Sequence, residues 1–172
     1  MESAFFEPFG DGRYRFWLDM ARTVAIEREI GIKRPDGAVE PGSIFAIYPK
    51  LTASLGVVDG VPMLIDATAV RPSECVSIIR NALISGGEGV VNGDTLKVDS
   101  ATALTLVEET CFPKRAAAHD AYLAWTILRA AIDGIQVNDK KKEAQPAVVS
   151  PRRSKRASSS KTAERSVSTG SA

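Results

Sequence analysis

The residues that could carry chemistry are few. The chain has one histidine, His119, and two cysteines, Cys75 and Cys111. A catalytic site needs a nucleophile with its base, an acid/base pair, a metal or a cofactor cradle. His119 falls in the first turn of a helix-period segment, with no Cys, Ser or metal-ligand spacing beside it. It reads as a surface or interface residue. Two isolated cysteines and one histidine do not make a zinc set. Glu108 and Glu109 are adjacent, so on a helix their side chains diverge by about 100° and form a solvated face, not an acid pair. Gly86-Gly87-Glu88-Gly89 is glycine-rich, but no Gly-Lys-Ser/Thr follows to cradle a phosphate, so it reads as a helix stop and turn. Gly10-Asp11-Gly12 reads as a hairpin turn. A non-catalytic protein is expected, without cofactor or metal.

The remaining chemical signal is charge. Residues 1–136 carry 13 Lys and Arg against 18 Asp and Glu, a net of −5, whereas residues 137–172 carry 9 against 3, a net of +6. The tail contains Arg152-Arg153-Ser154-Lys155-Arg156, whose Arg152, Arg153, Lys155 and Arg156 are the candidates for contact with a polyanion. Such contacts are salt-sensitive and independent of sequence. No aromatics are interleaved to stack on bases. From Val137 onward there is no Leu, Ile, Phe, Met, Tyr or Trp. Ordering such a backbone costs about 1–2 kcal/mol per residue with no apolar burial to offset it. The sequence therefore predicts a folded body over 1–136 and a disordered basic tail over 137–172.

No apolar run approaches the ~20 residues that span a bilayer, so no membrane partner is expected. Met1-Glu2-Ser3-Ala4-Phe5 lacks a basic n-region and an apolar h-region, which argues against a secretory signal. Reduced thiols and a cytoplasmic setting are the expectation.

The elements that must position these residues are mostly helical. Phe5, Phe6 and Phe9 precede Gly10-Asp11-Gly12, and Tyr14, Phe16 and Leu18 then alternate with Arg13, Arg15 and Trp17, which predicts two antiparallel strands. Asp19 is placed to cap a helix over about 20–30, with Met20, Ala21, Val24, Ala25 and Ile30 as its apolar stripe. Ser43 is placed to cap a short helix bearing Ile44, Ile47, Tyr48 and Leu51, which Pro49 should kink or split. Residues 56–70 are ambiguous in pattern; Val57-Val58 and Val61 to Ile65 could form a small hairpin around Asp59-Gly60. A helix from about Ser73, its expected cap, to Ser85 carries Val76, Ile79, Ala82 and Leu83. Asn92-Gly93 lies in a turn with short extended flanks. Asp99 caps a helix to about Cys111 with the stripe Ala103, Leu104, Val107 and Cys111. A last helix follows Phe112-Pro113, with the proline in its first turn, and ends at Asp133-Gly134. The fold class is α+β and mainly helical, an N-terminal β-hairpin followed by four or five helices.

The last helix is unusually apolar. His119, Thr126, Arg129 and Asp133 fall within about 80° of its circumference, Asp120 stands apart, and nearly every other position is apolar. Such a helix is either central to the domain or buried on two sides, one of them by another chain. The central position is preferred.

The order of these segments resembles a known family. A hairpin carrying Gly10-Asp11-Gly12-Arg13-Tyr14-Arg15-Phe16 leads into a helix, Ile78-Ile79-Arg80-Asn81-Ala82-Leu83-Ile84-Ser85-Gly86-Gly87 follows, then Ala101 to Glu109, and Ala124-Trp125-Thr126-Ile127-Leu128-Arg129-Ala130-Ala131-Ile132-Asp133-Gly134 closes the body. This is similar to the gene-transfer-agent-like family of small phage and prophage tail proteins, the tail assembly chaperones of long-tailed phages. The segment 32–70 is longer than in that family, and the basic tail has no counterpart there. The resemblance implies a non-catalytic chaperone of virion morphogenesis, acting in the bacterial host cytoplasm. It would bind the tape-measure protein, keep that apolar helical partner soluble and recruit tail-tube subunits. Some members of the family append an extension by ribosomal frameshifting, which suits a body plus a tail. A tube subunit should be rich in strands, and this body reads as helical. Self-association into a homo-oligomer and partner-helix binding suit the over-apolar last helix, with Tyr122, Trp125, Leu128 and Ile132 as candidate contacts. Two alternatives from other classes stand beside this one: a nucleic-acid-associated protein acting through 140–165, and a structural component of the virion tail.

Overall fold

The computed structural model describes residues 3–134. The first strands, β1 (Phe5–Phe9) and β2 (Gly12–Phe16), form the expected antiparallel hairpin, with Phe5 opposite Phe16 and Phe9 opposite Gly12. Alternation places Tyr14 and Phe16 inside. Phe9 meets both edge-on, and Phe5 stacks on Phe16 with ring centroids 5.7 Å apart. Aromatic pairs of this kind add about 0.5–1.5 kcal/mol to their burial.

Helix α1 (Met20–Glu29) starts at Asp19, whose carboxylate accepts the Arg22 N–H at 2.7 Å. Two short bridged strands follow, β3 (Ile32–Lys33) and β4 (Val39–Glu40), then α2 (Ile44–Ser54). A tight hairpin, β5 (Leu55–Val58) and β6 (Val61–Leu64), turns at Asp59-Gly60, where both residues have positive φ. Helix α3 (Pro72–Gly86) leads into a third hairpin, β7 (Glu88–Val91) and β8 (Asp94–Lys97). Helices α4 (Ser100–Thr110) and α5 (Ala117–Asp133) complete the body. The strands β1-β2-β7-β8 form one antiparallel sheet, because β7 pairs with β2 through Arg13–Val90 and Tyr14–Gly89. The architecture is α+β with five helices, about half of the described residues being helical.

The central helix is α3, which packs on α1, α4, α5 and β2. Cys75, Ile78, Ile79, Ala82 and Leu83 are buried on it, and so are the polar Ser77 and Asn81. Helix α5 lies beside α3 and also covers α2 and β6, so most of its apolar girth is buried within the chain, Tyr122 excepted.

Several local expectations are corrected. Ser73 does not cap α3. Arg71 holds the cap position and Pro72 opens the helix, since a proline nitrogen is no loss in a first turn. Pro49 does not split α2, for it sits on the exposed side of a continuous helix and removes only one N–H from the ladder. Pro113 lies in the turn before α5, which starts four residues later at Ala117. On α1 the expected stripe is largely outside: Met20, Ala21 and Val24 are exposed, and Ile26 is the buried residue of the helix. On α4 Leu104 is exposed, and Leu106 takes its place inside.

The sheet and the helices meet where the last turn of α3 touches the end of β2. A Cβ on Gly86 would overlap the Arg15 carbonyl oxygen. Just beyond, the Trp17 N–H donates to the Ala82 carbonyl at 3.2 Å, and the Ser85 hydroxyl donates to the Asp19 carboxylate at 2.9 Å. Gly86→Ala therefore tests the junction. In an open helix alanine gains up to ~1 kcal/mol over glycine. Here the overlap with backbone reverses the sign, and a loss of about 1–3 kcal/mol is expected in urea unfolding.

Candidate functional site

The candidate contacts of the last helix separate once placed in the fold. Leu128 is fully buried, so it belongs to the core of its own chain, and its assignment to a partner is corrected. Trp125 is half-buried: its indole N–H donates to the Thr52 hydroxyl at 3.0 Å, and Arg129 lies over its ring at 5.1 Å. Ile132 is half-buried against the core. Tyr122 is exposed and leans on Trp125, with ring centroids 5.7 Å apart. Of the four, only Tyr122 faces outward. The polar arc of α5 is also divided. Thr126 is buried, its hydroxyl donating to the Tyr122 carbonyl at 2.9 Å, whereas His119 and Asp133 are exposed; Asp120, outside that arc, is almost fully buried.

Asp120 anchors the start of α5. One carboxylate oxygen accepts the Phe112 N–H at 2.7 Å, and the other accepts the Arg115 Nε–H. Arg115 in turn lies over the Phe9 ring, 4.9 Å from its centroid. One further nitrogen of that guanidinium is buried without a hydrogen-bond partner. The cation over the aromatic face recovers part of that cost. The turn 111–116 is thereby tied to the aromatic hairpin. Both thiols stand near this carboxylate. Burial first, then the Asp120 charge, pushes the Cys75 and Cys111 thiols up to about 12, so both are protonated and inert at neutral pH.

Above this anchor runs an open groove of about 270 Å³ between β1, β6 and α5, lined by Pro8, Pro62, Arg115, His119, Tyr122 and Leu123 among others. His119 is exposed on its rim, as a surface or interface residue. Among the described residues, no group of three or more His, Cys, Asp or Glu is placed to hold a metal ion. No helix among them is long and apolar enough to cross a membrane.

Beside the groove is a surface that the sequence reading passed over. The β5–β6 register alternates as Leu55–Leu64, Gly56–Met63, Val57–Pro62 and Val58–Val61. Leu55, Pro62 and Leu64 turn inward and are partly buried. Gly56, Val58, Val61 and Met63 form the outer face, without one polar residue. Val58, Val61 and Met63 are about half exposed at 54%, 52% and 49%, and Ile65 beyond them is at 74%. The signal in the sequence was a run, Leu55 to Ile65, whose strands are apolar on both faces although a two-stranded ribbon buries only one. The candidate tail residues Arg152, Arg153, Lys155 and Arg156 lie outside the described residues.

Comparison of the chain with family models, curated proteins and solved structures gives no match.

The Asp120 anchor yields a prediction. Asp120→Ala leaves the part-buried Phe112 N–H and Arg115 guanidinium without their acceptor. Breaking a buried pair by removing one partner typically costs about 3–5 kcal/mol, and the partial exposure of Arg115 brings the expectation here to about 2–3 kcal/mol. Chemical unfolding should show a loss of that order, larger than for Asp133→Ala, whose carboxylate bonds the Tyr48 hydroxyl at the surface.

Proposed function

We propose that the chain is a non-catalytic tail assembly chaperone of a phage or prophage. In this reading it binds the tape-measure protein and helps to recruit tail-tube subunits in the host cytoplasm. One observation carries the reading: the outer face of β5–β6 is apolar and largely exposed, and the same hairpin lines the groove at Tyr122 through Pro62 on its inner side. Scattered exposed apolar residues are ordinary, but a contiguous patch beside a groove marks a protein-binding surface. An amphipathic helix laid along such a surface is shielded from water over its apolar side. The helical content of the body supports a chaperone over a tube subunit, which would need a larger sheet to close a ring.

Co-expression with the tape-measure protein tests the proposal. The wild-type chain should hold that partner in the soluble fraction and co-purify with it. Val61→Asp with Met63→Asp should leave the thermal midpoint nearly unchanged, since surface substitutions usually stay within about 0.5 kcal/mol. The same pair should abolish co-purification. A wild-type chain that neither solubilises nor retains the tape-measure protein would sink the reading.

A second reading rests on the charge split, −5 over 1–136 against +6 over 137–172. The tail would then contact nucleic acid through Arg152, Arg153, Lys155 and Arg156. Deleting 140–172 should remove any salt-sensitive DNA binding. The same salt slope in the truncated chain would exclude the tail as the contact.

A further inference from the structure

The free strand edges of the described fold are not alike. An exposed edge is a template for another strand, and proteins blunt it with proline, charge or cover. On β1 the free edge carries Glu7 and Pro8, and on β8 it carries Asp94 and Lys97. On β6 it carries Pro62. The edge of β5, Leu55-Gly56-Val57-Val58, carries none of these.

The ladder shows which groups that edge offers. The Ile65 N–H donates to the Ser54 carbonyl at 2.8 Å, so Ser54–Ile65 is a hydrogen-bonded pair. Bonded and non-bonded pairs alternate along an antiparallel ladder, which makes Gly56–Met63 and Val58–Val61 bonded and Val57–Pro62 non-bonded. The hairpin therefore tolerates Pro62, whose nitrogen faces away from β5. By the same alternation the N–H and C=O of Val57 point outward along an edge that no other described backbone pairs. Val57 itself is exposed.

We infer that β5 is a self-association edge, on which a second copy of this chain adds its own β5 antiparallel, with Val57 opposite Val57. A two-fold axis sets each residue of the edge near itself or its symmetry mate, so a charge on the axis would meet its own kind. This edge is uncharged. The axis through Val57 exchanges its N–H and C=O with those of its mate and sets Gly56 against Val58 on the outer face. The Ile65 side chain of each copy already covers its own Gly56, so Val58 of the mate meets an apolar surface there. The result is a four-stranded sheet, β6-β5-β5-β6, whose apolar outer face is continuous across both copies. The pairing surface is small, which places the dimer among weak, concentration-dependent associations. The inference does not depend on the chaperone reading.

Sedimentation velocity on the full chain from about 1 µM to about 1 mM tests it. The wild type should pass reversibly from monomer to dimer. Val57→Lys and Val57→Glu should each weaken the dimer at least tenfold, and an equimolar mixture of the two should restore it as a heterodimer. Restoration cannot arise from misfolding of either variant. Met63→Lys, on the outer face and away from the edge, should leave the dimer intact. A wild type that stays monomeric at the highest concentration overturns the inference. So does a dimer indifferent to both Val57 charges, or a mixture that fails to associate. Loss of the dimer in Met63→Lys alone would mean that faces, not edges, pair, and would overturn it as well.

Discussion

The contact on which the rest of the body depends is the approach of Gly86 to the Arg15 carbonyl. Here the last turn of α3 lies against the end of β2 at a distance that excludes any side chain. With that distance fixed, the Trp17 N–H reaches the Ala82 carbonyl, and Asp19 serves two elements at once. It caps α1 and accepts from Ser85 on α3. Gly87, in the left-handed conformation, then turns the chain into β7, which pairs with β2. A second close approach follows on the same strand, where a Cβ on Gly89 would enter the ring of Tyr14. Two glycines three residues apart thus seat the aromatic hairpin on both the central helix and its neighbouring strand.

The polar interior works in the same direction. Glu29, at the end of α1, accepts from Ser77, Arg80 and Asn81 of α3. Buried carboxylates cost several kcal/mol unless paired and hydrogen-bonded. Glu29 remains partly exposed and Asp120 is deeply buried, yet each serves as the acceptor that fixes how two segments meet. These contacts specify geometry more than they add stability. An apolar α1 packed on α3 would be free to slide or rotate, whereas Glu29 accepts from three donors in one position only.

That distinction explains what was legible in the sequence. Strand alternation at Tyr14 and Phe16, the caps at Asp19 and Asp99, and the turns at Asp59-Gly60 and Asn92-Gly93 are local signals and are realised, whereas the strand ends at Phe16, before Leu18, which is buried beyond it. The burial of α1 was not legible. Periodicity selected Met20, Ala21 and Val24, whereas the helix turns Ile26 and the carboxylate of Glu29 towards α3. Its burial is decided by a polar partner some fifty residues away, which no period reveals. Asp120 was set apart as an irregularity in an apolar helix and is in fact its anchor. Among the candidate contacts on α5, composition could not divide Leu128 from Tyr122, because α3 and α2 cover different arcs of the helix.

The β5–β6 hairpin shows why an apolar surface can persist beside so well-filled a body. Its inner residues, Leu55 and Leu64, are held against the core, and Pro62 closes one wall of the groove. Among the described residues nothing covers the outer face, and α5 already fills the inner side. Polar residues at positions 58, 61 and 63 would satisfy water at no cost to that packing. Packing among the described residues therefore gives no reason for valine and methionine there. A reason exists if the face or its edge is covered in a complex, where each buried methylene contributes about 0.8 kcal/mol. The pair of positive-φ residues at Asp59-Gly60 keeps the ribbon tight and the ladder in register. The surface is thus presented by a rigid element, and a partner that docks on it pays little to order it.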